Sequence, residues 1–237
     1  MNIPGLSVTA RVLASFVTAV VTATTLSPVA AAAPAAGDTY VYRVSNGYNH
    51  EVRGQIHYRI DKIDADRVTV AVTTDTPSLG APRTEVYTKE GNWLRHPLVN
   101  HDFPREYEFA PAYPAYALPL DSGKSWSVRI NAVDPASGRR NSVRVDGEVL
   151  GSERITVLAG TFDTIKIARR VYAGDWDGFL RETNITETDW YAPALGRPVR
   201  TESKSMWQDM SRCSRVVCWF RGDWNVLELA AASTAKP

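Results

Sequence analysis

An alternation of apolar and polar residues with a period of two constrains the fold of this chain more than any other feature. Residues 162–172 show it most clearly. The apolar positions there are Ile165, Ile167 and Val171, and the polar positions are Thr164, Lys166 and Arg170. Because successive side chains of a β-strand point to opposite faces, this spacing predicts a strand with one buried face.

The same period recurs in short runs along the rest of the chain. The predicted strands are 38–44, 52–61, 67–74, 84–89, 124–133, 141–150, 155–157, 162–172, 199–207, 216–220 and 224–229. Turn residues separate them at a spacing of roughly ten residues, which is typical of all-β domains. We therefore predict one all-β domain at residues 37–230, built as an antiparallel curved sheet, open barrel or sandwich. A flexible tail is predicted at 231–237.

The first 36 residues have the order of a secretory signal peptide. Arg11 carries the only charge, residues 12–26 are mostly apolar, and the small residues 29–33 follow. Threonine and serine interrupt the apolar stretch, whereas a firm membrane span needs about 20 predominantly apolar residues. We predict a signal peptide at residues 1–36 and a secreted or periplasmic location, with an uncleaved anchor as the alternative. No cysteine ends the segment, which disfavours lipid attachment there.

Charge excludes one large class of partners. The chain has 27 basic and 26 acidic residues, and loss of the signal segment removes one basic residue, Arg11. The remaining chain is formally neutral and has no basic patch, so no nucleic-acid partner is expected. Contact with a membrane is expected only through the signal segment.

Two cysteines, Cys213 and Cys218, are the only ones in the chain. In an exported protein such a pair is expected to form a disulfide. The spacing is not the C-x-x-C of redox motifs, and no histidine lies nearby to complete a metal site. We predict a structural disulfide, no metal site and no cofactor.

Residues 95–120 break the alternation. Five prolines argue against a regular helix or central strand there, and they are Pro97, Pro104, Pro111, Pro114 and Pro119. The segment is also rich in aromatic residues, so it is predicted to cover the sheet or to form the lip of a cavity. Tyr113 and Tyr116 within it are candidate ligand-binding residues.

Arg169 is the third candidate ligand-binding residue. By parity it shares the apolar face of Ile167 and Val171, where a charge needs a partner or water. Either it lines a cavity that solvent reaches, or a bulge turns it outward. Glu187 and Asp189 share a strand face and are interpreted as part of a solvated sheet edge. The four histidines are scattered, so no catalytic residue is predicted.

Two further stretches carry a family resemblance. They read Val157-Leu158-Ala159-Gly160-Thr161-Phe162-Asp163 and Trp190-Tyr191-Ala192-Pro193-Ala194-Leu195-Gly196. This pattern resembles the uncharacterised bacterial secreted domains grouped as TapB-like. The chain departs from it at Leu158, where proline is common, and at Pro198, which is inserted before Val199.

The resemblance covers roughly Leu118 to Leu229. It implies an all-β envelope domain, with a curved sheet of the kind that periplasmic lipid and lipoprotein carriers use. It transfers no catalytic residue. Within the motif, Gly160 permits a tight turn, Phe162 can close one end of the sheet, and Trp190 with Pro193 can fix where the next strand begins.

Three functions are compatible with these features. The first is a non-enzymatic envelope protein that binds an apolar small molecule, a lipid or a protein partner in a groove of the sheet. The second is an envelope hydrolase with an unidentified carboxylate and histidine site. The third is a structural accessory domain of a surface assembly. A cavity lined by Tyr113, Tyr116 and Arg169 would favour the first, and a filled interior with an exposed apolar patch would favour the third.

Overall fold

The structure of the protein is a computed structural model that describes residues 34–100, 103–174, 182–212 and 218–234. These residues form twelve strands, and their only helical elements are three single 3₁₀ turns. The strands are β1 (Thr39–Asn46), β2 (Val52–Ile63), β3 (Arg67–Thr74), β4 (Arg83–Thr88), β5 (Trp93–Asn100), β6 (Phe103–Tyr113), β7 (Ser125–Val133), β8 (Arg140–Val157), β9 (Gly160–Ala173), β10 (Thr183–Ala192), β11 (Arg197–Gln208) and β12 (Trp219–Ser233). The 3₁₀ turns are Pro77–Leu79, Pro193–Leu195 and Met210–Arg212.

The strands close into an antiparallel barrel. Each strand pairs with the next one in sequence, and β12 pairs with β1 to complete the ring. Closure leaves no open sheet edge, which removes the sites at which strands of other chains could pair. The prediction of an all-β antiparallel fold is confirmed, and the architecture is a closed barrel.

The period-two pattern determines which side chains face the interior. On β3 the buried residues are Val68, Val70 and Val72, and the residues between them are more exposed. Strand β9 confirms the strand predicted at 162–172, with Ile167 and Val171 fully buried. Where one residue of a run points inward the next points outward, so each run supplies one wall of the barrel.

The interior holds two apolar clusters. The first core comes from β5–β10 and the segment after β6, and it contains Leu98, Tyr107, Phe109, Tyr113, Ala115, Tyr116, Ile130, Ala132, Val143, Val145, Val149, Ile167, Val171, Ala173, Ile185 and Tyr191. The second core comes mainly from β1–β3 and β10–β12, and it contains Tyr40, Tyr42, Val44, Ile56, Tyr58, Ile60, Val68, Val70, Val72, Val157, Trp190, Ala192, Val199 and Leu229.

The prediction of an irregular covering segment at 95–120 is wrong for most of its length, because β5 and β6 occupy residues 95–113. Proline is tolerated there because β5 pairs with β4 only near Trp93 and Arg95, and β6 pairs with β7 only at residues 108–110. Pro97, Pro104 and Pro111 lie outside these two short ladders, so β4 and β7 require no N–H donor from them. Only residues 114–120 form an irregular cover.

Two strands are longer than predicted. Strand β8 runs without interruption through the predicted strands 141–150 and 155–157, and a bulge at Gly151 bends it between them. Gly151 has φ 135°, a backbone conformation that favours glycine, and such bulges provide the curvature a barrel needs. Strand β12 continues to Ser233, three residues past the predicted end of the domain at residue 230.

Some predictions fall outside the described residues. Residues 1–33 of the predicted signal peptide lie there, and so does Cys213, so the signal peptide and the Cys213–Cys218 disulfide stay predictions. Among the described residues, no helix is long and apolar enough to cross a membrane.

Gly147 on β8 gives a test of the interior packing. A Cβ atom at this position would lie 2.2 Å from the indole of Trp126, whose Nε1 donates a hydrogen bond to the carbonyl of Pro114 over 3.1 Å. We expect Gly147→Ala to displace the indole and to lower the free energy of unfolding by about 1–3 kcal/mol, as overpacking does. Urea unfolding measures this change.

The Trp126→Ala background provides the control for this substitution. If the clash with the indole is the cause, Gly147→Ala should lower the free energy of unfolding clearly less in the Trp126→Ala background than in the wild type. A double-mutant cycle reports this difference as coupling between the two positions. An equal cost in both backgrounds would contradict the proposed packing.

Candidate functional site

The barrel encloses a cavity of about 330 Å³ whose wall takes side chains from both cores. Its apolar part comes from β2 and β3, through Ile56, Ile60, Val68 and Val70. Its aromatic part comes from β1, β2, β4, β5 and the cover, through Tyr40, Tyr42, Tyr58, Tyr87, Trp93 and Tyr116. Three polar groups surround this cavity.

The first polar group is centred on Arg169 of β9, whose side chain is only 1% exposed. Its Nε donates to Glu187 Oε2 over 2.9 Å, and its Nη2 donates to Asp189 Oδ2 over 2.8 Å. Its Nη1 donates to the carbonyl of Ala115 over 3.1 Å. The buried charge therefore has two carboxylate partners and a backbone acceptor, as a buried ion requires.

Tyr113 at the end of β6 and Tyr116 of the cover also belong to this group, which we call the Arg169 network. The Tyr113 hydroxyl donates to Glu187 Oε2 over 2.9 Å, and the Tyr116 hydroxyl donates to Asp189 Oδ2 over 3.0 Å. Burial raises the pKa of both tyrosines well above the usual value, and the neighbouring carboxylates raise it further. Both hydroxyls thus stay protonated as donors.

The surroundings of Arg169 likewise keep its guanidinium protonated. Burial by itself lowers the pKa of the guanidinium, but Asp189 and Glu187 outweigh it and keep this pKa well above its usual value. The network therefore joins β9, β10 and the cover through charge-assisted hydrogen bonds, which are stronger than neutral ones.

The structure brings together the three predicted ligand-binding residues, Tyr113, Tyr116 and Arg169. Tyr116 and Arg169 lie in the cavity wall, whereas Tyr113 lies behind it. The interpretation of Glu187 and Asp189 as a solvated sheet edge is wrong, because both are buried. The barrel turns their face of β10 inward, where both carboxylates pair with Arg169.

The second polar group surrounds Glu85 of β4, which is fully buried. Arg83 Nε donates to Glu85 Oε1 over 2.7 Å, and the Tyr87 hydroxyl donates to Glu85 Oε2. His96 Nε2 lies 3.5 Å from Glu85 Oε2. Arg83 contributes a positive charge and a donor, and Tyr87 a second donor, so this carboxylate is satisfied inside the barrel.

His96 also belongs to an aromatic stack. Its ring lies 3.9 Å from that of Trp93, and Trp93 lies 4.0 Å from Tyr113. The imidazole Nδ1 is 2.7 Å from the carbonyl of Pro97, which can only accept, so Nδ1 carries the proton. Burial lowers the pKa of His96, and Glu85 only partly opposes this effect. The imidazole is therefore neutral near pH 7.

The third polar group is Arg197 with three tyrosines of β1 and β2. The guanidinium carbon lies 3.8 Å from the ring centre of Tyr40 and 5.2 Å from those of Tyr42 and Tyr58. Arg197 Nε donates to the Tyr42 hydroxyl over 2.8 Å, and that hydroxyl donates to the carbonyl of Pro198 over 2.6 Å. We call this arrangement the Arg197 cage.

The second family-like motif places this cage. Pro193–Leu195 form a 3₁₀ turn that ends at Gly196, whose φ of 64° is left-handed, and Arg197 opens β11 directly after it. Sequence reasoning missed Arg197 as a site residue. The only sequence feature that marks Arg197 is its position directly after the turn at Gly196, and this position does not predict contact with tyrosines on β1 and β2.

The carboxylates of these groups are hydrogen-bond acceptors. Among the described residues, no cluster of three or more His, Cys, Asp or Glu side chains is placed to hold a metal ion. Glu85, Glu187 and Asp189 each accept hydrogen bonds from arginine and tyrosine side chains. These contacts hold the carboxylates as structural acceptors around the cavity.

The fold and its interior define a closed antiparallel barrel with a lined cavity. No family model matches the sequence, and no curated protein matches it. Solved structures with a similar fold include a candidate exported protein with a YmcC-like fold from Bacteroides fragilis. Its TM-score is 0.50 at 14% identity, over 85% of this chain and 98% of that chain. That likeness shows a shared fold.

Two further structures are similar over comparable lengths. A candidate lipoprotein from Parabacteroides distasonis has a TM-score of 0.49 at 17% identity, over 84% of this chain and 97% of that chain. The hypothetical lipoprotein YmcC from Escherichia coli has a TM-score of 0.42 at 14% identity, over 84% of this chain and 85% of that chain. None of the three is described as TapB-like, so that resemblance stays a prediction.

Arg169 gives a direct test of the network. Arg169→Met leaves two carboxylates buried without their cation, so we expect the free energy of unfolding to fall by about 3–5 kcal/mol. Arg170→Met removes the adjacent arginine, which is exposed, and should change stability by less than about 0.5 kcal/mol. Urea unfolding compares the two variants. Equal effects would show that Arg169 does not stabilise the interior.

His96 gives a test of the pH dependence. Its pKa is lowered in the folded protein, so on acidification the unfolded chain binds a proton first, near pH 6.5, and stability is lost as the pH falls below that value. We expect His96→Asn to lose less stability than the wild type between pH 7.5 and 5. Urea unfolding at several pH values measures both slopes.

The exposed His57 supplies the matched control for this test. His57→Asn should leave the wild-type slope in place, because it removes an imidazole from the outer face of β2. A His96→Asn slope as steep as that of the wild type would contradict the buried neutral imidazole.

Proposed function

We propose that this chain is an exported protein of the bacterial envelope that binds an apolar ligand in the cavity of its barrel. The observation that carries the proposal is the cavity itself. Its volume, about 330 Å³, lies at the lower end of the range of roughly 300–1,000 Å³ that is usual for small-molecule pockets. Apolar and aromatic side chains with a few polar groups line it, as in such pockets.

The polar networks support a preformed site. The Arg169 network ties the cover to β9 and β10, and the ring of Tyr87 on β4 packs edge-on against that of His96 on β5. These contacts fix the aromatic wall before any ligand enters, which lowers the entropic cost of binding. The interior is not filled, which favours a ligand-binding role over that of a structural accessory domain.

The position of the cavity also favours a small molecule over a protein partner. Its walls come from the inner faces of β1–β6 and β9–β12, so it lies inside the barrel. A hydrolase that uses a carboxylate as its base would need a free carboxylate in this space. Glu85, Glu187 and Asp189 are already engaged by cations and hydroxyls, which favours binding over that kind of hydrolysis.

Two further observations support the envelope assignment. The first 36 residues have the order of a signal peptide, and the Bacteroides fragilis protein that shares the fold is described as a candidate exported protein. We also propose membership of the TapB-like group. The two motif stretches of that group form the turn at Gly160 and the turn at Pro193–Leu195, so the residue types of the motif suit the turns that they make.

Native mass spectrometry tests the binding function. Protein purified from its own envelope should carry a bound apolar molecule. The native mass should then exceed the mass of the denatured chain by the mass of that molecule. Ser203→Phe should reduce the bound fraction, because Ser203 lies in the cavity wall opposite Glu187 and a larger ring fills that space. Thr186→Phe, on the exposed face of β10, is the matched control. A ligand-free mass for the wild type would overturn the proposal.

A further inference from the structure

Arg197 differs from the other arginines of the cavity wall in having no carboxylate partner. Arg83 lies 2.7 Å from Glu85, and Arg169 contacts both Glu187 and Asp189. Within the described ranges, no carboxylate oxygen lies within 4.0 Å of an Arg197 nitrogen. A half-buried charge without a counter-ion is costly, so the site is electrostatically incomplete.

The Arg197 cage leaves one edge of the guanidinium open. Nε is bound to the Tyr42 hydroxyl, and Tyr40, Tyr42 and Tyr58 surround the group. In the part of the chain that the structure describes, Nη1 and Nη2 have no hydrogen-bond acceptor. Aromatic faces stabilise a cation but do not neutralise it, and the planar fork of the two Nη groups matches the oxygens of a carboxylate or phosphate.

The remaining charges of the wall favour the same sign of ligand. The described wall contains four basic side chains, Arg83, Lys89, Arg169 and Arg197, and two acidic ones, Glu187 and Asp189. Both acidic side chains are bound to Arg169. Glu85 pairs with Arg83, so the four basic and three acidic groups leave one net positive charge, and an anionic group is favoured over a cationic one.

We propose that Arg197 binds the anionic head group of an amphiphile, a carboxylate or a phosphate, whose apolar chain lies against Ile56, Val68 and Val70. The proposal rests on the proposed function, because it assigns a chemical class to the ligand of the same cavity. The tyrosine cage holds the guanidinium in position before binding. The apolar wall of β2 and β3 then buries the alkyl chain of the amphiphile, a favourable contribution that a small anion without such a chain lacks.

Calorimetric titration of the delipidated wild-type protein at pH 7.5 tests this class of ligand. The probes are decanoate, decyl phosphate, decan-1-ol and inorganic phosphate. We expect decanoate and decyl phosphate to bind at least about tenfold more tightly than decan-1-ol, since only they can pair with the guanidinium. Inorganic phosphate should bind much more weakly than decyl phosphate.

The variants locate the effect. Arg197→Gln should weaken decanoate binding to the level of decan-1-ol and leave decan-1-ol binding unchanged. Arg200→Gln is the matched control on the same strand, because Arg200 pairs with Glu202 and Glu228, and it should keep the wild-type preference. Thermal unfolding checks that both variants are folded, and the wild-type comparison of probes stands without them.

Each contrary outcome has a distinct meaning. Equal affinity of the wild type for decanoate and decan-1-ol would overturn the head-group assignment and leave the apolar cavity intact. Inorganic phosphate binding as tightly as decyl phosphate would overturn the assignment of an amphiphile. Failure of all the alkyl probes to bind would overturn this inference and count against the proposed function as well.

Discussion

The buried guanidinium of Arg169 is the interaction on which the interior of this barrel depends. It joins two neighbouring strands and the cover after β6, and two tyrosine hydroxyls are further donors to its carboxylate partners. Removing Arg169 would leave two desolvated carboxylates without a cation, so the network depends on this one side chain. The network therefore fixes one wall of the cavity without filling it.

The second constraint on the structure is that the barrel closes with few backbone hydrogen bonds between β4 and β5 and between β6 and β7. The β8–β9 ladder is the longest in the barrel, whereas β4–β5 and β6–β7 each join only two or three residue pairs. The β5–β6 hairpin, which carries the prolines, contributes Pro97, Leu98, Val99 and Pro104 to the cavity wall. The wall is thus least tied by backbone bonds at the place where it borders the cavity, and side-chain contacts such as that between the rings of Tyr87 on β4 and His96 on β5 hold it there.

The motif stretches acquire a physical meaning in this setting. Gly160 makes the turn between β8 and β9, and Phe162 packs against the second core. Trp190 belongs to the same core, and Pro193 begins the turn that delivers Arg197 to its tyrosines. The motif builds turns that position a cavity residue, which explains its residue types without assigning them any chemistry of their own.

The sequence alone determined most of the strands, because a period of two is a local property of the chain, but it missed β5 and β6, where prolines interrupt that period. It also placed Arg169 on an inward face and marked Tyr113 and Tyr116, but parity does not give register. Only the structure decided that Glu187 lies directly opposite Arg169 on the neighbouring strand, and that prolines fit where ladders are short. The Arg197 cage depends in addition on closure of the barrel. Arg197 on β11 and Tyr40 on β1 come together across β12 only because the ends of the chain close the barrel, and no local pattern encodes that meeting.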